Sequence, residues 1–215
     1  MMTTIALINP NSNTATTARM VALAQAAVPG ASITGHTATR APGMILTEGE
    51  LIAAAPEVER IGRALRGVDG VIVSAFGDPG ADALAAALPV PVTGLAQASF
   101  AAAARHGRFG VATTTPALVA AIDARAAQLG HGDRFVGTFT AGDVDPRLLM
   151  DDPDRLIDTL VRAVRMAVAR GADAVCIGGG PLSGLADRIA LKVPLIDAVT
   201  AAALDMKRQI QSRAT

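Results

Sequence analysis

Short runs of β-branched and aliphatic residues alternate along the chain with longer Ala-rich stretches in which apolar positions recur at helical spacing. The short runs predict strands over 3–8, 31–36, 69–74, 91–94, 108–112, 133–139, 172–177 and 193–196. The longer stretches predict helices over 14–27, 49–65, 80–88, 96–105, 116–129, 153–170, 183–190 and 197–212. The best-marked helix lies in "MDDPDRLIDTLVRAVRMAVARG", where Asp152 precedes Pro153 at a first turn and Gly171 follows the last. Regular alternation of strand and helix is the pattern of βα units and a mainly parallel sheet.

The pattern repeats. Displaced by 104 positions, "IALINPNSN" (5–13) lies over "FGVATTTPA" (109–117), and "VDGVIVSAFGDPG" (68–80) over "ADAVCIGGGPLSG" (172–184). The same shift places "ASITGHT" (31–37) on "FVGTFTA" (135–141). With the shift changed by one, "PVPVTGLAQASFAAA" (89–103) resembles "KVPLIDAVTAAAL" (192–204). Four element types in one order predict an α/β chain of two similar Rossmann-like halves. Each half is a roughly four-stranded parallel sheet flanked by helices, and the pair descends from an internal duplication. The expected division is 1–96 with 198–215 packing back on it, and 97–197 as the second half. Ligands of parallel sheets bind beyond the carboxyl ends of the strands. Facing halves therefore bring the loops 9–13, 75–80, 113–116 and 179–184 round one cleft.

Composition narrows the classes. Hydrophobic residues are 51% of the chain and aromatics 2%, so the core is built from small aliphatic side chains. The 19 basic and 19 acidic residues cancel without forming a block, which excludes the basic stripe that nucleic acid requires. No apolar run approaches the ~20 residues of a membrane span, and the start "MMTTIALINPNSN" has no leader character. The expectation is a soluble, cytoplasmic protein without membrane partners, and Ala-rich helices are compatible with a homo-oligomer. The single cysteine, Cys176, excludes an internal disulfide and reads as a small buried apolar residue. His36, His106 and His131 show no ligand spacing with it, so no metal is expected.

Four loops could carry chemistry. Asn9, Asn11, Ser12 and Asn13 supply amides and a hydroxyl before a helix, suited to a carboxylate or ring amide, although one N-cap explains part of the cluster. Thr113, Thr114 and Thr115 are the counterpart, with capping again the alternative. In "SAFGDPG" (74–80), Ser74 ends a strand, Ala75 carries no chemistry, and Asp78 is either a turn-former or a carboxylate facing a substrate. In "CIGGGPLSG" (176–184), Gly178, Gly179 and Gly180 permit close backbone approach to a ligand or, alternatively, close packing of helix on strand. The spacing matches neither a dinucleotide fingerprint nor a phosphate-binding loop.

"LINPNSN", "FGDPG" after the third strand, "GVATT" at the half boundary and "VPLIDAVTAAA" near the end resemble the aspartate/glutamate/hydantoin racemase superfamily, nearest the hydantoin and allantoin racemase branch. The resemblance runs from about residue 3 to 208. It implies two four-stranded parallel-sheet domains, no cofactor, and a small carboxylate or cyclic amide or ureide held between them. It also implies two cysteines that exchange protons on opposite faces of the substrate carbon. Their positions fall on Ala75 and Gly179 here, and the family's glutamate after the second strand is absent, with Glu48 and Glu50 nearby. Neither Ala75 nor Gly179 can exchange a proton, and acid–base catalysis needs a titratable group within reach. The expectation is a divergent enzyme whose base or water-orienting group is Asp78, Ser74, Ser183 or His36. Asn9, Asn11, Ser12, Ala75, Phe76, Gly77, Thr113, Thr114, Thr115, Gly179, Gly180 and Pro181 bind the substrate. Isomerisation, elimination, decarboxylation and ring hydrolysis stay open. The alternatives are racemisation by a substitute base, Asp78 or a displaced Cys176, and a non-catalytic binding or accessory protein.

Overall fold

The computed structural model describes residues 2–142 and 144–213. Eight strands form two four-stranded parallel sheets. In the first, β1 (Thr3–Asn9), β2 (Ala31–Thr37), β3 (Gly70–Val73) and β4 (Val92–Gly94) take the order β2-β1-β3-β4. In the second, β5 (Phe109–Ala112), β6 (Phe135–Phe139), β7 (Ala174–Ile177) and β8 (Leu195–Asp197) take the order β6-β5-β7-β8. The register repeats as well as the order: Ile5 pairs with Gly70 and Ile8 with Val73, while Phe109 pairs with Ala174 and Ala112 with Ile177. Each of these residues has its counterpart at the 104-position shift, so the two central pairings are the same pairing made twice.

Helices α1 (Thr14–Ala27), α2 (Glu48–Ala64), α3 (Ala81–Ala87), α4 (Leu95–Ala103), α5 (Val119–Gln128), α6 (Pro146–Met150), α7 (Pro153–Ala169) and α8 (Ala198–Arg213) complete the fold. Their starts follow the sequence chemistry. Asn13 caps α1 by accepting from Thr16 N, and Thr47 with Glu50 forms a reciprocal capping box on α2. Asp152 caps α7 with Pro153 in its first turn, and Gly171 leaves its end at φ +87°.

Three expectations change. The predicted helix over 183–190 is absent: Ser183 is extended and Gly184 sits at φ +83°, so the segment makes short 3-10 turns at Gly180–Leu182 and Ala186–Arg188 instead. Conversely, α6 was not foreseen, although Asp145 accepts from Arg147 N and Pro146 opens the turn. The predicted helix over 116–129 begins with a 3-10 turn over Pro116–Leu118 and becomes α-helical at Val119.

The two halves share a core. Helix α4 packs on β7 and β8 as well as β4, and α8 packs on β3 and β4 as well as β8, with α4 and α8 lying against each other. Phe100 on α4 is at the centre, with Phe76, Phe109 and Phe135 at centroid distances of 5.5, 5.5 and 5.7 Å. The few aromatics the chain has are therefore concentrated at the junction of the halves. No described helix is long and apolar enough to cross a membrane.

Candidate functional site

A cleft opens beyond the carboxyl ends of β1, β3, β5 and β7. Its floor is polar: Asn11 from the first loop, Ser74 at the end of β3, Thr113, Thr114 and Thr115 after β5, and the backbone of Gly178–Gly180 after β7. Its wall is apolar, formed by Met44 and Ile45, Leu51 of α2, Phe76, Leu118 and Ile122 around the start of α5, Met150 of α6, and Leu182. Concave, apolar and supplied with a few convergent donors, it has the make-up of a small-molecule site. No ionisable side chain stands in the wall among the described residues.

The floor is built with different degrees of constraint. Asn9 is fully buried, and the two hydrogens of its amide Nδ2 are shared among Asn11 Oδ1 at 2.9 Å, Thr17 Oγ1 at 3.0 Å and the Asn13 carbonyl at 3.1 Å. Asn11 N returns a bond to Asn9 Oδ1 at 3.2 Å, and Asn13 N donates to Asn11 Oδ1 at 3.0 Å. Ser74 is 2% exposed and its hydroxyl has no partner within the protein, an uncommon state for a buried polar group. The glycine run is required by space on both flanks. A Cβ on Gly178 would meet Val111 at 2.7 Å, and one on Gly180 would meet the Ser74 carbonyl at 3.1 Å. Gly179 has room for a Cβ but sits at φ +128°.

Of the residues expected in the site, Asn11, Ser74, Ala75, Phe76, Thr113, Thr114, Thr115, Gly179, Gly180 and Pro181 line the cleft. Others do not. Asn9 lies beneath the floor and holds Asn11. Ser12 is tied to the 38–47 segment through its N–H to the Pro42 carbonyl at 3.0 Å. Gly77 packs under Leu51, whose Cδ2 a Cβ there would meet at 2.6 Å.

Asp78, expected as a substrate-facing base, does not line the cleft. Its backbone is left-handed, φ +53°, the one such non-glycine among the described residues, and this turns the side chain away from the cleft. Its carboxylate accepts from Ala96 N at 2.8 Å and Gln97 N at 2.9 Å, at the start of α4, and from Arg125 Nε at 3.2 Å. Arg125 grips Asp82 with its other two nitrogens at 2.7 and 2.9 Å. Burial pushes the Asp78 carboxyl up to about 6, with Arg125 and the two amides pulling against it. Asp197 does the matching work in the other half, accepting from Thr200 N at 2.9 Å and from Gly184 N at 2.5 Å.

The remaining candidate bases also lie off the cleft. His36 is on the edge strand β2, 3.4 Å from Thr34 Oγ1, and burial lowers its pKa. Ser183 is buried with an unpartnered hydroxyl, but behind the glycine loop. Cys176 is fully buried inside β7 with Sγ directed at the Ser99 carbonyl, 3.5 Å away, and burial pushes its thiol up. Among the described residues, no three His, Cys, Asp or Glu side chains converge as a metal site would need.

Apart from Phe76, the apolar wall is not marked in the sequence. Its residues come from the 38–47 segment, α2, α5 and α6, and their apolarity is indistinguishable from that of core positions. The one local signal was Asp-Pro at 145–146, a helix start. Outside the wall the cleft widens past Met44, Thr115, Pro146, Met150 and Pro181 into a charged vestibule holding Arg19, Glu50, Asp145 and Arg147. Its acids are already engaged: Asp145 pairs with Arg147 at 3.0 Å, and Glu50 accepts from Leu46 N at 2.7 Å and Thr47 N at 3.1 Å. Arg19 spans the mouth from α1 to donate to the Pro181 carbonyl at 2.7 Å.

Comparison with known proteins gives consistent matches. The family model described as Asp/Glu/Hydantoin racemase matches residues 5–206. A hydantoin racemase of Rhizobium meliloti is 33% identical over 210 residues, 92% of this chain and 85% of that protein. The crystal structure of allantoin racemase from Pseudomonas fluorescens superposes with a TM-score of 0.92 at 26% identity, covering 98% of this chain and 92% of that one. Allantoin racemase from Klebsiella pneumoniae gives 0.89 at 29% identity, covering 98% and 89%.

Proposed function

The chain belongs to the Asp/Glu/Hydantoin racemase family, and from that premise we propose that its cleft takes a small cyclic ureide or carboxylate and acts at the carbon beside a carbonyl without a thiol. The observation that carries this reading is a donor-rich floor under an apolar wall that has no ionisable side chain among the described residues. Removing a proton or a carboxyl group beside a carbonyl gathers negative charge on the carbonyl oxygen. Hydroxyls and amides fixed in a water-poor cleft are suited to hold that charge. Ser74, Thr113, Thr114 and Asn11 are the donors, and the substituent of the substrate lies against Phe76, Leu118, Ile122 and Met150. With no titratable group in the wall among the described residues, water is the source of any proton returned to that carbon, and loss of a carboxyl group, which needs no base, fits the cleft better than proton abstraction.

The same absence favours a second reading, a protein that binds such a ligand and leaves it unchanged. Incubation with 5-substituted hydantoins, allantoin, aspartate and glutamate in deuterium oxide, followed by proton NMR, separates the two. Exchange of the α-proton supports an isomerase, and product without exchange supports a lyase or hydrolase. Ligand-induced thermal stabilisation with neither supports the binder. Ser74→Ala is the companion variant. An unpartnered buried hydroxyl is a burden of about 1–3 kcal/mol to the free protein. Its removal should leave the melting temperature unchanged or raised, while turnover or binding falls at least about 10-fold. If no compound binds or reacts, or if Ser74→Ala behaves as wild type, the proposal is wrong.

A further inference from the structure

We infer that Asn11 is a donor-only contact, presenting its amide N–H to an acceptor oxygen of the ligand, and that Asn9 is the positioning residue that fixes it so. The inference rests on the reading of the cleft as a ligand site and adds which atom type the ligand must place there. An asparagine side chain has one acceptor and two donors, and its role in a site depends on which end is free. At Asn11 the acceptor end is already used: Oδ1 receives Asn9 Nδ2 at 2.9 Å and Asn13 N at 3.0 Å. Rotating the amide would set its NH2 group against two donors, so the orientation is locked. What remains for the cleft is Nδ2.

The lock continues behind Asn9. Its own oxygen accepts from Asn11 N at 3.2 Å, which settles the orientation of its amide, and Thr17 Oγ1 accepts from it at 3.0 Å. Thr17 Oγ1 lies 2.8 Å from Thr37 Oγ1, tying the relay to the end of β2. Asn9 is the last residue of β1, fully buried and off the cleft, so it acts on a ligand only through Asn11. A ligand ammonium or ring N–H set against Asn11 would face a second donor. A carbonyl or carboxylate oxygen completes the network instead.

The test uses the full-length protein, with 5-benzylhydantoin and its two mono-thio analogues as probes, since a thione sulfur is a weak acceptor. Affinities come from calorimetry. The decisive variant is Asn11→Asp, because a carboxylate still accepts from Asn9 and Asn13 and leaves the loop intact while turning the free end from donor to acceptor. Wild type should prefer the oxo compound over one thio analogue by about 10-fold, and Asn11→Asp should lose about 100-fold in oxo affinity, as expected when a donor is replaced by an opposed acceptor. Asn11→Ala should bind with the preference abolished. Asn9→Ser should lose the oxo preference while keeping its affinity for the thio analogue; a merely structural role would lower both equally. Oxo binding by Asn11→Asp at wild-type affinity overturns the inference while leaving the cleft as a ligand site. Failure of wild type to bind any of the three probes overturns both.

Discussion

Replacing Asp78 by Asn should lower the stability of the protein far more than it touches the chemistry of the cleft. The carboxylate is 4% exposed and accepts three donors, two at the start of α4 and one from Arg125. Asparagine can still accept at Oδ1 from Ala96 N, but its NH2 group then faces Gln97 N and Arg125 Nε, donor against donor. Arg125 keeps its two bonds to Asp82, whose side chain is 76% exposed, and so loses only the buried part of its compensation. Removing one member of a buried charged pair costs about 3–5 kcal/mol, and the surviving Asp82 contact places this case near 3 kcal/mol. That the desolvated carboxyl is pushed up does not reverse the sign, because the cost lies in the donors left behind. For a chain of this size about 3 kcal/mol is a fall of about 6–12 °C in melting temperature. Thermal unfolding followed by circular dichroism reads it directly, with Asp82→Asn, an exposed partner, expected to change little. A melting temperature within about 2 °C of wild type, together with lost turnover, would refute the reasoning and return Asp78 to the cleft.

Two further outcomes follow from the positions of sulfur and glycine. Cys176 should resist a thiol reagent such as a disulfide dye in the folded protein and react fully in guanidinium chloride, since it is fully buried and its thiol is pushed up; rapid stoichiometric labelling of the native protein would place it within reach of a ligand. Ala75→Cys should fold normally and label readily in the cleft. Gly179→Cys should lose about 1–3 kcal/mol because φ +128° is strained for any residue with a Cβ, and equal stability of the two variants in urea denaturation would contradict this.

Much of the architecture was legible because strand runs and the 104-position shift are local or simply periodic. Register inherits that periodicity, which is why Ile5 with Gly70 and Phe109 with Ala174 are equivalent pairs. The donors of the floor were legible because they sit in short loops directly after strands. The role of Asp78 was not. Asp-Pro-Gly announces a turn, but the direction of the carboxylate depends on a left-handed backbone and on Arg125, 47 residues away. The wall was hidden for another reason: Leu51, Ile122 and Met150 become neighbours only when α2, α5 and α6 assemble. Arg19 and Pro181, 162 residues apart, meet for the same reason.

The repeat gives the contact made by Asp78 a counterpart in the second half. Gly94 and Asp197 are counterparts one position off the main shift, each closing the fourth strand of its sheet. In the second half Asp197 reaches from that position back to the loop at Gly184 and forward to Thr200 N. In the first half a Cβ on Gly94 would fall on the Asp78 carboxylate, which occupies the space from the loop side and holds Ala96 N and Gln97 N. Both halves thus use one carboxylate to bind the loop after the third strand to the helix after the fourth, supplied from opposite ends of the contact. The scaffold is symmetric in function although its residues are not. The cleft has no such compensation: Ala75 stands on ordinary backbone and Gly179 on backbone open only to glycine. The two positions where the resemblance places thiols are therefore unequal. A cysteine introduced at Ala75 should sit without backbone strain, whereas one at Gly179 should distort the glycine loop.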